Sequence, residues 1–192
     1  MVRESGLGYY LRLNSNGQRI GNEVLFGGPG ATLQEYSVIR PKIAVDPQNN
    51  VHIIFTTPLH YPTYSGIGSV KGGYAIYVKM RNGQIVAGPV RVHSPSARAS
   101  DYGAEDADIT VDEQGRAHAV VQTYERFFSD SSSKLLYYTI DAQGIVSPPT
   151  DLDPTGWMTE RPTIAASGGK VFVAWDYSYG TNNMEVSMKI KS

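Results

Sequence analysis

The sequence predicts an all-β chain made of β-propeller blades, each of four antiparallel strands, with about three to three and a half blades in 192 residues. Three observations carry this prediction. The composition is that of a turn-rich β protein: 20 Gly, 11 Pro and 13 Tyr, with charged residues at 18% against the usual ~25%. A strand–turn–strand pattern recurs three times along the chain. A second hairpin follows each of the first two copies and is found once more ahead of them, and a fixed order of hairpins is the mark of a repeat fold. A sandwich or jelly roll is the competing fold, but neither requires one pattern to return in the same order.

The elements follow in chain order. Tyr9-Tyr10-Leu11-Arg12-Leu13 leads through Asn16-Gly17 into Glu23-Val24-Leu25-Phe26. The first copy of the main hairpin is Ile43-Ala44-Val45-Asp46, a turn, then Val51-His52-Ile53-Ile54-Phe55. Tyr74 to Met80, Asn82-Gly83 and Val90-Arg91-Val92 complete that unit. The second copy is Ile109-Thr110-Val111-Asp112, a turn at Gly115, then Ala117-His118-Ala119-Val120-Val121. It continues through Leu136 to Ile140, Gln143-Gly144 and Thr150-Asp151-Leu152. The third is Ile164-Ala165-Ala166-Ser167, Gly168-Gly169-Lys170 and Val171-Phe172-Val173-Ala174-Trp175, with Glu185 to Ile190 as a last strand. Asp46, Asp112 and Ser167 are equivalent points, 66 and then 55 residues apart. The second strand of each main hairpin is apolar almost without break, as expected where neighbours cover both faces. The third strands alternate: Ile76, Val78 and Met80 face one way and Tyr77 and Lys79 the other, which predicts half-buried strands with a wetter outer position at Lys79, Arg12 and Lys189.

The predicted organisation is therefore one partial propeller over 1–192. Its blades are 8–26 (third and fourth strands only), 43–92, 109–152 and 163–191 (first three strands only). This is short of the four to eight blades that close a ring. The expectation is a homodimer completing a six- or seven-bladed ring, or a longer propeller of which this is a part.

The pattern resembles the sialidase-like propellers with BNR-type repeats. The residues that carry the resemblance are Arg40-Pro41-Lys42-Ile43-Ala44-Val45-Asp46 with Val51-His52-Ile53, and Arg161-Pro162-Thr163-Ile164-Ala165-Ala166 with Val171 to Trp175. The Ser-x-Asp-x-Gly-x-Thr-Trp box of that group is absent from the turns between third and fourth strands. In those families an Arg near the start of a first strand helps to hold the substrate carboxylate, and a Tyr activated by Glu replaces the usual carboxylate nucleophile. The resemblance thus implies such a role for Arg40 and Arg161, and a hydrolase is one reading of the chain.

The preferred reading is a non-enzymatic module that presents an aromatic, mixed-charge loop face to a carbohydrate or a protein, and a purely structural role is the third. In a propeller the long connections, second strand to third and fourth to the next first, share one face, and binding residues concentrate on such loops. Tyr61, Tyr64, Tyr102, Tyr124, Trp157, Tyr177 and Tyr179 lie on or next to them, and aromatic rings with a polar tip suit sugar stacking or partner anchoring. Arg40, Asp106 and Arg161 occupy equivalent positions just before the first strands, with Glu160 beside the last. Two Arg can clamp a carboxylate through paired hydrogen bonds. The alternative is that these Arg and Glu pair with one another between blades.

Several classes are set aside. A net charge of −1 gives no basic stripe for nucleic acid or an acidic membrane. The absence of Cys removes thiol chemistry and zinc–thiolate sites. His52 and His118 are equivalent strand positions and read as structural rather than as metal ligands, so no metal or cofactor is expected, and no catalytic residue is assigned. Asp46 to Asn50 and Asp112 to Gly115 lack the acidic spacing of a calcium loop and read as hairpin turns. No apolar stretch reaches the roughly 18 residues of a membrane span. The first twenty residues carry Arg3, Glu4, Arg12 and Arg19 and no apolar core, so the cytoplasm is the default expectation, or secretion if a leader has been removed.

Overall fold

The computed structural model describes residues 6–27, 37–57, 73–94, 103–127, 130–153, 158–179 and 183–191. Over 125–127, 130–132, 158–159, 177–179 and 183–191 the description is of the backbone alone. Among these residues every regular element is a strand, so no helix there is long and apolar enough to cross a membrane. The first sheet is β1 (Gly8–Leu13) and β2 (Arg19–Gly27), and the second is β3 (Ile39–Val45), β4 (Val51–Thr56), β5 (Ala75–Arg81) and β6 (Gln84–His93). The third is β7 (Gly103–Val111), β8 (Ala117–Phe127), β9 (Asp130–Ile140) and β10 (Thr150–Asp151), and the fourth is β11 (Met158–Ser167), β12 (Lys170–Tyr179) and β13 (Asn183–Lys191). In every sheet the strands lie side by side in chain order and pair antiparallel.

The turns are made by one local device used repeatedly. Asp46 Oδ1 accepts hydrogen bonds from the Gln48 and Asn50 amides at 2.9 and 2.7 Å. Asp112 does the same for Gln114 and Arg116, Asp141 for Gln143 and Ile145, and Asn14 for Asn16 and Gln18. A side-chain oxygen that replaces a backbone acceptor is why Asx residues open such turns. Three residues on, the chain passes into the left-handed region at Asn49, Gly115, Gly144 and Gly17, where Gly and Asn are the tolerated residues.

The second and third sheets are apolar on both faces, and each face meets a different neighbour. Tyr10 and Phe26 of the first sheet share a core with Ile53, Phe55, Ile76 and Val78 of the second. Ile54, Tyr77 and Val92, on the other side of the second sheet, join Ala107, Ile109, Ala119 and Val121 of the third. Val120, Leu135 and Tyr137 then meet Ile164, Val173 and Trp175 of the fourth. Period-two alternation thus sends successive residues of one strand into two different cores, which explains the unbroken apolar run of β4. The first strands are neighbours too: β3 lies against β7, and β7 against β11.

Two expectations are corrected. The third strand of the second sheet is not half-exposed: Tyr77 is fully buried and Lys79 is 8% exposed, because the third sheet covers the face on which Tyr77 lies and the Lys79 ammonium turns back to Asp46 at 3.5 Å. Arg12, at the matching place in β1, is exposed as expected. The connection from second to third strand in the third sheet, expected to be one of the long loops, is mostly strand, since β8 and β9 remain paired as far as Phe127 and Asp130.

Candidate functional site

The first strand of each larger sheet is interrupted at the same place. Pairing of β3 with β4 skips between Ile39 and Lys42, that of β7 with β8 between Ala104 and Asp106, and that of β11 with β12 between Glu160 and Thr163. Bulges of this kind re-aim side chains and are enriched next to binding sites. At two of the three the chain is also strained. Arg40 and Arg161 both have a φ of 48°, and both precede a proline, which restricts the preceding residue to extended conformations. A bulky residue in the left-handed region costs on the order of 1–3 kcal/mol, and such strain gathers at functional sites.

The two arginines are used differently. Arg40 is exposed, and its Nη1 donates to the Glu105 carbonyl at 2.8 Å, so it reaches the bulge of the neighbouring first strand. Thr56 Oγ1 approaches the same carbonyl at 3.5 Å. Arg161 turns to its own sheet, with Nη2 2.7 Å from Asp176 Oδ2 and a side chain that is 61% exposed. Asp106 is half-buried and accepts from the Ala107 amide at 2.9 Å. Two residues on, Asp108 Oδ2 accepts from Thr163 Oγ1 and the Ile164 amide at 3.0 and 3.1 Å, tying β7 to β11. Glu160 is half-buried and paired in register with Asp176. Arg40 and Asp106 are thereby held on adjoining first strands, while Arg161 and Glu160 stand together on β11 with Asp176. The alternative pairing of these Arg with Glu side chains between blades is not seen among the described residues: Arg40 takes a backbone oxygen and Arg161 an aspartate of its own sheet.

The aromatic candidates divide. Tyr124 is half-buried in β8, opposite Gly103 and Ser133. Tyr177 and Tyr179 belong to β12, where their backbones pair with Glu185 and Asn183. Tyr61, Tyr64, Tyr102 and Trp157 lie outside the described residues. Asp176 was not singled out in the sequence. A strand Asp carries no motif, and only its register opposite Glu160 would have drawn attention to it.

Two buried relays account for His52 and His118, which the sequence marked as equivalent structural positions without showing their partners. His52 Nε2 lies 3.2 Å from Asp46 Oδ2, and His52 Nδ1 lies 2.9 Å from the Tyr77 hydroxyl. With the Nε2 proton on the carboxylate side, Nδ1 accepts from Tyr77. His118 repeats this between Asp112 Oδ2 at 3.0 Å and the Tyr137 hydroxyl at 2.6 Å. Burial pushes the His52 pKa down, against its hydrogen bond to Asp46, so the ring is neutral. Burial alone would raise Asp46, but hydrogen bonds from the Asn50 side chain and amide and from His52 together hold it well below the usual carboxylate range. Asp112 is lowered by the same balance, with His118 and the Arg116 amide outweighing burial. Burial raises Tyr77, and it pushes Tyr138 up to about 12. These groups clamp strands of one sheet together and do not open onto a site. Among the described residues no group of three or more His, Asp or Glu is placed to hold a metal ion.

No family model matches the chain, and no curated protein matches it. Among solved structures it is similar to a Trypanosoma rangeli sialidase in complex with 2,3-difluorosialic acid, at 15% identity and a TM-score of 0.42, over 95% of this chain and 33% of that one. It is also similar to the polysaccharide lyase Uly1, at 12% identity and a TM-score of 0.44, over 97% of this chain and 53% of the other. The chain thus spans a third to about half of the length of these proteins. With TM-scores below 0.5 and identities of 15% or less, these likenesses fix neither its architecture nor its activity.

Proposed function

We propose that the chain is a ligand-binding module of propeller blades, that its binding face lies at the N-terminal ends of β3, β7 and β11, and that it takes a carbohydrate bearing a carboxylate. The observation that carries this reading is the repeated strained arginine. Two guanidinium groups, at equivalent bulges and with the same φ of 48°, stand exposed on first strands of sheets whose first strands adjoin in series. A fold that stacks sheet on sheet with first strands side by side is what propeller blades require, which supports the architecture. Arg40 commits Nη1 to Glu105, and a guanidinium has five N–H donors, so others remain for a ligand.

Binding without turnover is favoured by how the nearby carboxylates are occupied. Asp176 is held by Arg161, Asp108 by β11 and Asp106 by its neighbouring amide. The test is a glycan array of sialylated, uronate-bearing and neutral glycans, with Arg40→Ala and Arg161→Ala compared with the parent chain. Acidic glycans are expected to bind, and each substitution to weaken binding by about tenfold or more, the value of a charge-assisted hydrogen bond. Acidic-glycan binding that ignores both substitutions overturns the reading. Release of product from aryl glycosides would replace it with a hydrolase.

A further inference from the structure

We propose that the seam between the first and second sheets holds a pocket for a small uncharged ligand, a single aromatic ring with a hydroxyl tip. It is a second site, at the end of the sheets away from Arg40.

The pocket lies between β2 and the β5–β6 hairpin. Val24 and Phe26 line it from the first sheet and Met80, Gly83 and Ile85 from the second, around a cavity of about 220 Å³. That exceeds the ~150 Å³ apolar cavity known to take up benzene. Register fixes its place along the strands. Ile39, Thr56, Ala75 and His93 align at the end near Arg40, whereas Val45, Val51, Met80 and Ile85 align at the opposite end.

The corresponding seam between the second and third sheets is filled, and a count of strand residues gives the reason. β1 is the third strand of its sheet, as β5 is of the next. The Val38 amide donates to the Gly6 carbonyl at 3.0 Å, as the Ala104 amide does to that of Gly73 at 2.8 Å, and Gly6 and Gly73 precede Tyr10 and Tyr77 by the same interval. Arg12 therefore corresponds to Lys79. Arg12 pairs with Ile20 and Tyr10 with Val24, so β2 runs through Gly21, Asn22 and Glu23 between them. Lys79 pairs with Ala87 and Tyr77 with Val90, and β6 runs through Gly88 and Pro89 only. β2 absorbs its extra residue in a bulge at Gly21, whose φ of 76° suits glycine. The effect falls on Ile20, the counterpart of Ala87. In the second seam Val90 Cγ2 and Ala87 Cβ lie 3.5 and 3.8 Å from where a Cβ on Gly144 would stand. At Gly83, the counterpart of Gly144, Val24 Cγ2 alone comes that near, at 3.3 Å. Ile20 is carried outward, is 44% exposed and does not line the cavity.

The lining selects the ligand. Phe26 and Met80 are 2% and 1% exposed and form the floor. None of the described lining side chains is charged, so an ion would lose its water without a partner. A ring is favoured over an aliphatic chain of similar size, because a thioether makes favourable contacts with ring edges and two rings attract edge to face. Gln84 is exposed at the rim, and its amide both donates and accepts, which suits a hydroxyl.

The probe is benzyl alcohol, titrated into the full chain and followed through the methyl NMR signals of Val24, Met80 and Ile85. Saturable shifts at these methyls are expected, with a Kd on the order of 1 mM. Hexan-1-ol should bind about fivefold more weakly. Gln84→Ala should weaken benzyl alcohol about fivefold, through loss of one hydrogen bond, and leave toluene binding as in the parent. Val24→Phe, which puts a ring into the cavity, should abolish binding. Deletion of Asn22, which gives β2 the residue count of β6, should do the same by returning Ile20 to the seam. The proposal is overturned if no shift saturates, if the shifts fall on other methyls, if hexan-1-ol binds as well as benzyl alcohol, or if Gln84→Ala weakens toluene as much as benzyl alcohol. Binding that survives in both filled variants overturns it as well. The methyl map is made on the parent chain, so it decides the matter even where a variant does not fold.

Discussion

His52 stands between an anion and a phenol with almost no water, and its response to acid follows from that position. The unfolded chain takes up a proton near the ordinary pKa of 6.5, whereas folded His52 resists it because burial lowers its pKa. Between 6.5 and the lower folded value the unfolded state binds more protons, so stability falls as pH falls. Asp46 acts in the same direction further down. Its folded pKa lies below the ordinary 3.8, so its contribution is complete above that value and is lost as pH drops through and beneath it. Urea unfolding at a series of pH values is expected to show both losses, and His52→Asn to flatten the first. An unchanged slope between pH 6.5 and 5 in His52→Asn would exclude His52 as its source. Little of this was legible in the sequence, although His52 and His118 were recognised as equivalent. Tyr77 lies on another strand, 25 residues on from His52, and a Tyr alternating with Ile and Val looks like an outward-facing residue until a second sheet is placed over it.

At the level of the strand, the main hairpins were readable because two local signals agree: an apolar run and an Asx turn that ends in Gly or Asn. The start of each first strand was only half readable. Arg-Pro marks an extended step and drew attention to Arg40 and Arg161, but a φ of 48° is set by the bulge and the adjoining strand rather than by any local preference. Arg161→Gly tests what that conformation costs. Glycine relieves about 1 kcal/mol of strain, and the exposed pair with Asp176 is worth about 0.5 kcal/mol. Stability is therefore expected to stay within about 0.5 kcal/mol of the parent by urea unfolding, while acidic-glycan binding weakens. A loss of 2 kcal/mol or more would mean that the ion pair, not the backbone, governs this position.

Across the whole molecule, stability is shared through three cores, each made half by one sheet and half by the next. The second and third sheets are covered on both faces, and the first and fourth contribute to one core each. In such stacks the units with two neighbours open last. Hydrogen exchange is expected to be slowest in β4, β5, β8 and β9, whose Ile54, Ile76, Val120 and Leu135 are fully buried, and faster in β1 and β2. Equal protection in all four sheets would contradict nearest-neighbour stacking. Sheet composition and order were legible in the sequence because the repeat is strong; the relation of one sheet to the next was not, since the same apolar strand serves whichever neighbour lies on either side.

The sharing of cores also decides where this chain can be cut. A protease that nicks the connection between two sheets severs the covalent link but leaves Ile54 still lodged against Ile109, and Val120 against Ile164. Nicked chains should therefore remain associated under native conditions and separate only in denaturant. The indivisible piece is a facing pair of half-sheets, and its seams run through the middle of what the strand pairing alone would call a unit.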